Sequence, residues 1–194
     1  MKLLLILAHP IEDSFNASVA ATAREALLAG GHEVDWLDLY REDFDPRLTA
    51  SERASYFTAP YDGSAVAPLI ARLRAADGLV LVFPQWWFGF PAILKGYFDR
   101  VFAPGVAFSH SDSGGIVRGL TNIRLLYALT TTGSPWWVAR LVGDPVRRTL
   151  RRVIATMCAK GVRFRMLSLH DMDRVRGSKR RAYLERVRRL MSAI

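Results

Sequence analysis

"GLVLVFPQWWFGFPAILKGYFDRVF", residues 78–102, decides how the chain is read. Its first six residues are an uncharged apolar run, as a strand covered on both faces of a parallel sheet requires. From residue 91 onward the pattern is helical, and Pro91 suits the first turn of a helix, where its missing N–H costs nothing. Residues 84–90 are then a loop joining strand to helix. That loop gathers Trp86, Trp87, Phe88 and Phe90 without a single charge. Loops ordinarily run over the surface. Rings this large on such a loop either pack under a cover as core or form a wall for a flat ligand.

The strand–loop–helix unit repeats outward in both directions. Apolar runs predict strands at 2–8, 33–39, 78–83, 123–130 and 162–169. Helical patterns fall between and after them, at 16–29, 65–75, 91–102, 145–159 and 178–192. Alternation of this kind implies an α/β, doubly wound, five-stranded parallel sheet with helices on both faces, and order 2-1-3-4-5 fits five strands best. A chain of 194 residues builds one substantial core, so residues 1–194 are expected to form a single domain. The long connections, 41–64 and 104–120, are candidates for function.

Composition narrows the classes. Cys158 is the only cysteine, which excludes a disulfide framework and fits a reducing compartment. No zinc-ligand spacing occurs, so no metal site is expected. The opening "MKLLLILAHP" has too short an apolar run for a secretory signal, and the uncharged stretch 78–94 is broken by Pro84, Gly89 and Pro91, so no membrane span is expected and a cytoplasmic location is. Residues 147–194 hold 15 Lys or Arg against 3 Asp or Glu. That excess suits nucleic acid, anionic lipid or an acidic partner. Its arginines sit in amphipathic helical patterns without interleaved aromatics, so a solvated helical face is favoured and nucleic acid is not expected.

In an open α/β sheet, ligands bind beyond the carboxyl ends of the strands where strand order reverses. Three loops meet that point. "AHPIEDSFN" carries His9 at a strand end and Ser14 and Asn16 ahead of a helix, fit either for a phosphate or for an ordinary N-cap. "FPQWWFGFP" supplies the rings, and "LTTTGSPWW" supplies hydroxyls and a glycine permitting close approach. Neither GxGxxG nor a P-loop occurs in the first loop. A phosphate cradle, a ring-stacking wall and a polar edge together describe a flavin nucleotide pocket.

These residues resemble the NAD(P)H:quinone oxidoreductases of flavodoxin-like fold. His9, Ser14, Phe15 and Asn16 match the family's first signature, while Trp87, Phe88, Gly89 and "PAILKGYFDRVF" match its second. Thr130 to Gly133 match its Thr-Thr-Gly loop. The resemblance runs through roughly the first 135 residues. It implies a homodimer with flavin, FMN or FAD, at the interface, reduced by NAD(P)H and reoxidised by a quinone-like acceptor. By position, Ser14, Phe15 and Asn16 hold the phosphate side near His9. Pro84, Gln85, Trp86, Trp87 and Phe88 run along the ring, and Thr130, Thr131, Thr132 and Gly133 lie at its polar edge. Trp87, Phe88, Phe108, His110 and Trp136 are expected at the substrate pocket, with Phe108 and His110 reaching the partner subunit's.

The chain departs from mammalian-type members after the Thr-Thr-Gly loop. It reads "SPWWVARLVGD", with Trp136 and Trp137 where those members place a Tyr and a His. Tryptophan donates one hydrogen bond but is no general acid near neutral pH. Ile70 stands where FAD-using members carry a glutamine. No protein nucleophile is identified, as expected where the cofactor does the chemistry. Some relatives of the family are regulatory subunits of potassium-efflux transporters, which makes a flavin-binding ancillary subunit the alternative. A response-regulator receiver shares the strand order but needs an acidic cluster where this chain has "LAHPIEDS".

Overall fold

A computed structural model of the chain describes residues 1–57, 60–111 and 114–194. Its strands are β1 (Lys2–Leu7), β2 (Glu33–Asp38), β3 (Gly78–Pro84), β4 (Phe108–His110), β5 (Ile116–Arg118), β6 (Leu125–Thr131) and β7 (Arg163–Leu169). Five of them form one sheet in the order β2-β1-β3-β6-β7, with every neighbouring pair parallel. Counted along the chain, that is the expected 2-1-3-4-5. The β4–β5 pair is a separate antiparallel hairpin within the second long connection.

The helices are α1 (Phe15–Ala29), α2 (Ala50–Ser55), α3 (Ala67–Ala75), α4 (Ala92–Val101), α5 (Trp136–Leu141), α6 (Pro145–Thr149), α7 (Ala155–Met157) and α8 (Gly177–Met191). Side chains alternate across the sheet and make two cores. Leu3, Leu5, Val80, Val82 and Leu129 face α1 and α8, while Leu4, Ile6, Leu79, Leu81 and Phe83 face α3, α4 and α6. Because β1 and β3 are buried on both faces, their apolar runs are nearly continuous. Truncating one of these leucines to alanine costs about 2–5 kcal/mol.

Differences from the sequence expectation are local. Residues 145–157 do not run as one α-helix, because Leu150–Ile154 takes a π turn between α6 and α7. The wider turn lets residues spaced by four, Leu150, Ile154 and Cys158, all reach the core. The expected loop 84–90 begins one residue later, since Pro84 ends β3 opposite Thr131. A proline is tolerated there because the ladder ends with it. Gly96 in α4 is where the first long connection crosses, and a Cβ there would lie 2.2 Å from the Pro46 carbonyl oxygen.

Candidate functional site

The chain leaves β1 toward β2 on one side and later returns to β3 on the other, so the point where this architecture places a ligand crevice lies beyond the carboxyl ends of β1 and β3. The three loops expected there are stitched together. Asn16, buried in the first turn of α1, donates its Nδ2 to Thr131 Oγ1 at 3.0 Å. Gln85 donates its backbone N–H to the Thr131 carbonyl at 2.7 Å and its Nε2 to Thr130 Oγ1 at 2.8 Å. Thr130 Oγ1 continues to Ser168 Oγ on β7 at 3.1 Å. Thr130 and Thr131 therefore support the loops from inside the sheet rather than lining an open edge. Thr132 is also buried, with its N–H on the Leu169 carbonyl, while Gly133 stays exposed. A Cβ on Gly133 would come within 2.7 Å of the Asp173 carboxylate, which places an acid at that edge.

The aromatic loop is a tight turn closed by the Gly89 N–H on the Trp86 carbonyl at 2.9 Å. Its two central residues, Trp87 and Phe88, both take left-handed backbone, with φ of 52° and 55°. Turns of this kind favour Asn-Gly, and bulky residues in that region store about 1–3 kcal/mol each. Trp87 is 100% exposed and Trp86 43%. Neither the Trp87 nor the Phe88 amide donates to another described residue. Phe90, by contrast, is partly buried and packs against the core, its ring 5.4 Å from Phe83 and 5.3 Å from Phe98. The loop thus divides, with Phe90 anchoring it and Trp86 and Trp87 presented outward.

At the other end of the crevice Ser14 caps α1, its Oγ accepting the Ala17 N–H at 3.1 Å. The hydroxyl proton remains free to donate, so the cap and a ligand contact are compatible. The amides of Phe15 and Asn16 have no acceptor among the described residues. Phe15 leans on Tyr183 at 6.1 Å, and the Arg180 guanidinium from α8 lies 5.9 Å over its ring. Arg180 was not among the sequence-derived site residues. Nothing local in a run of arginines distinguishes it; only α8 packing on α1 does. His9 sits 6.2 Å from Trp86 and accepts the Ile11 N–H on Nδ1 at 3.1 Å. Burial lowers its pKa, so the ring is neutral near pH 7.

One buried group fits a missing partner. Asn16 Oδ1 has no hydrogen bond among the described residues. Turning the amide over would transfer the vacancy to Nδ2, so one polar atom stays unpaired in either orientation.

Three of the expected residues lie elsewhere. Phe108 and His110 stand on β4 with rings 5.8 Å apart, and His110 borders a cavity of about 770 Å³ with Tyr56, Tyr61 and Val106. That cavity, the largest of those described, shares no lining residue with the crevice, and it lacks the strand-end chemistry that marks a ligand site in this architecture. Ile70 is buried on α3 and lines it too. Trp136 is exposed on α5, bordering a cavity with Asp144 and His170.

The sequence profile described as flavodoxin-like fold matches residues 1–190. An uncharacterized NAD(P)H oxidoreductase of Escherichia coli is 38% identical over 108 residues, 55% of either chain. A ribosyldihydronicotinamide dehydrogenase-like protein of Penicillium crustosum is 39% identical over 174 residues, 77% of this chain and 65% of that one. The chain spans about half to two thirds of the length of the curated relatives it matches. Among solved structures, Smu.1420 from Streptococcus mutans superposes over the whole of both chains with a TM-score of 0.87 and 30% identity. The NAD(P)H:quinone oxidoreductase from Methanothermobacter marburgensis covers 99% of this chain and 96% of its own, with a TM-score of 0.81 and 27% identity. No helix among the described residues is long and apolar enough to cross a membrane. Sheet order, stitched strand-end loops and sequence profile agree, and the chain belongs to the flavodoxin-like fold family, among NAD(P)H oxidoreductase and quinone-reductase relatives.

Proposed function

We propose that the crevice holds a flavin nucleotide and that the chain is an NAD(P)H-dependent oxidoreductase acting on a quinone or similar flat acceptor. The observation that carries this reading is the convergence of three hydrogen-bonded strand-end loops beneath an outward aromatic turn. The unpaired Asn16 amide atom, the outward Trp87 and Phe88 amides and the spare Ser14 proton fit a ligand with both donors and acceptors. A flavin held there supplies two-electron transfer between NAD(P)H and an acceptor.

The protein's own part is binding, orientation and electrostatics. Ser14 and the first-turn amides of α1 meet a phosphate at the positive end of the helix dipole, and Arg180 adds a full charge. Trp86, Trp87 and Phe88 form an apolar wall that excludes water and admits flat molecules. The outward amides of that turn stabilise negative charge developing on a ring beside them. Pro84, Gln85, Thr130 and Thr131 hold the wall in register, and Thr132 and Gly133 close the polar side. His9, neutral, offers a ring face next to Trp86 rather than a charge. By the resemblance, the chain forms a homodimer in which Phe108 and His110 complete the partner's pocket. The enzyme names of the relatives favour this reading over a transporter's ancillary subunit.

The deciding experiment is the absorption spectrum of purified protein with FMN and FAD titrations, followed by NADH or NADPH and a soluble quinone. Oxidised-flavin bands, bleached by nicotinamide and restored by quinone, are expected. Light scattering should report about twice the 21.8 kDa chain mass. A colourless protein that binds neither flavin overturns the reading.

A further inference from the structure

Gly133 has a carboxylate where a side chain would be. A Cβ there would lie 2.7 Å from Asp173 Oδ2, so the acid lies against the backbone of the Thr-Thr-Gly loop. The connection after β7 is clamped in that position. Thr132 donates its N–H to the Leu169 carbonyl at 2.9 Å. The Asp171 and Met172 amides return to the Ser134 and Thr132 carbonyls, each at 3.0 Å. Between those two bonds Asp171 takes left-handed backbone, with φ of 60°, a conformation that Asp tolerates better than most residues. The placement of Asp173 is therefore set by backbone contacts within one chain.

Neither polar group of this pair is used by the fold. Among the described residues, the Asp173 carboxylate accepts no hydrogen bond and pairs with no base, and the Gly133 amide donates to no acceptor. A donor and an acceptor thus stand side by side at the polar end of the crevice. Where the resemblance puts a Tyr and a His in mammalian-type members, this chain has Trp136 and Trp137, and it holds an acid against Gly133 instead.

We infer that Asp173 is a flavin-contact residue that keeps the potential of the bound flavin low. The inference rests on the flavin reading. The pyrimidine edge of an isoalloxazine presents a ring N–H between two carbonyls, which matches a carboxylate acceptor beside an amide donor. Reduction adds electron density to that ring. A fixed negative charge next to it disfavours the reduced form, as one anion raises the cost of another. The outward amides of the aromatic turn favour the reduced ring, and Asp173 opposes them from the other edge. A flavin poised low gives up its electrons readily, which brings weakly oxidising acceptors within reach.

The test is Asp173→Asn, which keeps the shape and removes the charge, with Asp173→Lys as a further step in the same direction. Midpoint potentials are read by spectroelectrochemistry on flavin-saturated protein, with circular dichroism and light scattering on the same samples. The asparagine variant should favour reduced over oxidised flavin about tenfold more than the parent does, a rise of about 30 mV for a two-electron couple. The lysine variant should exceed it. A flavin methylated at the pyrimidine N–H should bind the parent about tenfold more weakly than FMN does, and Asp173→Ala should shrink that difference. Unchanged or lowered potentials in both variants overturn the inference and leave the flavin reading standing. An equal loss with methylated flavin in parent and alanine variant overturns the contact. A dimer that dissociates in Asp173→Asn overturns the inference by making the residue an anchor between copies. Protein that binds neither flavin overturns both readings.

Discussion

The connection after β2 and the loop after β3 leave the same end of the sheet and are built to opposite rules. The first is long, yet among its described residues the buried carboxylate, a helix cap and a tyrosine hydroxyl are all answered. Arg100 of α4 grips Glu52 of α2 at 2.7 Å with both side chains buried. Thr49 and Glu52 form a reciprocal capping box, and the Tyr61 hydroxyl donates to the Arg100 carbonyl at 3.1 Å. The second loop is short and left open. Two bulky residues are held in left-handed backbone, two amides lack acceptors and one indole is fully exposed. Satisfied polar groups mark the part that has only to keep its shape. Strain and open valences mark the part that the proposed flavin would complete.

The harshest way to break the comparison is Arg100→Met. It strands the Glu52 carboxylate in the core and should cost about 3–5 kcal/mol, read by urea unfolding. Arg100→Met/Glu52→Gln should recover part of that loss, and a single variant as stable as the parent would refute the anchor. The pair also carries a pH signature. Burial alone would raise the Glu52 pKa, but donors from Arg100 and Thr49 outweigh it and hold it below the usual value. Its contribution is therefore complete above the ordinary carboxylate range and fades as pH falls through and below it. Arg100→Met should flatten that acid limb of the stability profile.

Gly96→Ala strikes the same region through packing. The new methyl group meets Pro46 backbone at less than van der Waals distance, and overpacking of this kind costs about 1–3 kcal/mol. Thermal unfolding checks it, and the crevice should keep its ligand affinity as long as the variant stays folded.

Ser14→Ala tests the cap and the contact together. Loss of the Ala17 hydrogen bond should lower stability by about 1 kcal/mol, and flavin retention should weaken as well, with excess flavin restoring turnover. A stability loss with unchanged flavin affinity would reduce Ser14 to a cap.

The smallest effect carries an opposite sign. Trp87→Gly relieves left-handed backbone at a side chain that packs against nothing, so stability should rise by up to about 1 kcal/mol. Stopped-flow reduction by NAD(P)H should nonetheless slow on flavin-saturated protein. A variant that is more stable and equally fast would return the turn to ordinary surface.

Much of this was legible from residue patterns. All five sheet strands fall within two residues of their expected bounds, because an apolar run covered on both faces looks the same in any context. Missed elements are short ones. Helix α2 was announced by "TASE", a capping box too brief for helical periodicity to register. The β4–β5 hairpin has three residues per strand, below any useful period, and α5 looked like loop because its apolar residues point outward.

By itself, then, the sequence determined the sheet, its order and the three loops that would meet at its carboxyl end, since periodicity and strand-end position are carried by neighbouring residues. Tertiary structure alone decided what those loops do to one another. Asn16 finds Thr131 across 115 residues, Thr130 turns inward to join Gln85 to Ser168, and Arg180 comes over Phe15 from the last helix. It also divided the aromatic loop, packing Phe90 against the core and sending Trp87 into solvent. Composition cannot separate those two rings, because the side a side chain faces is set by the turn's backbone and by what α4 packs beneath it.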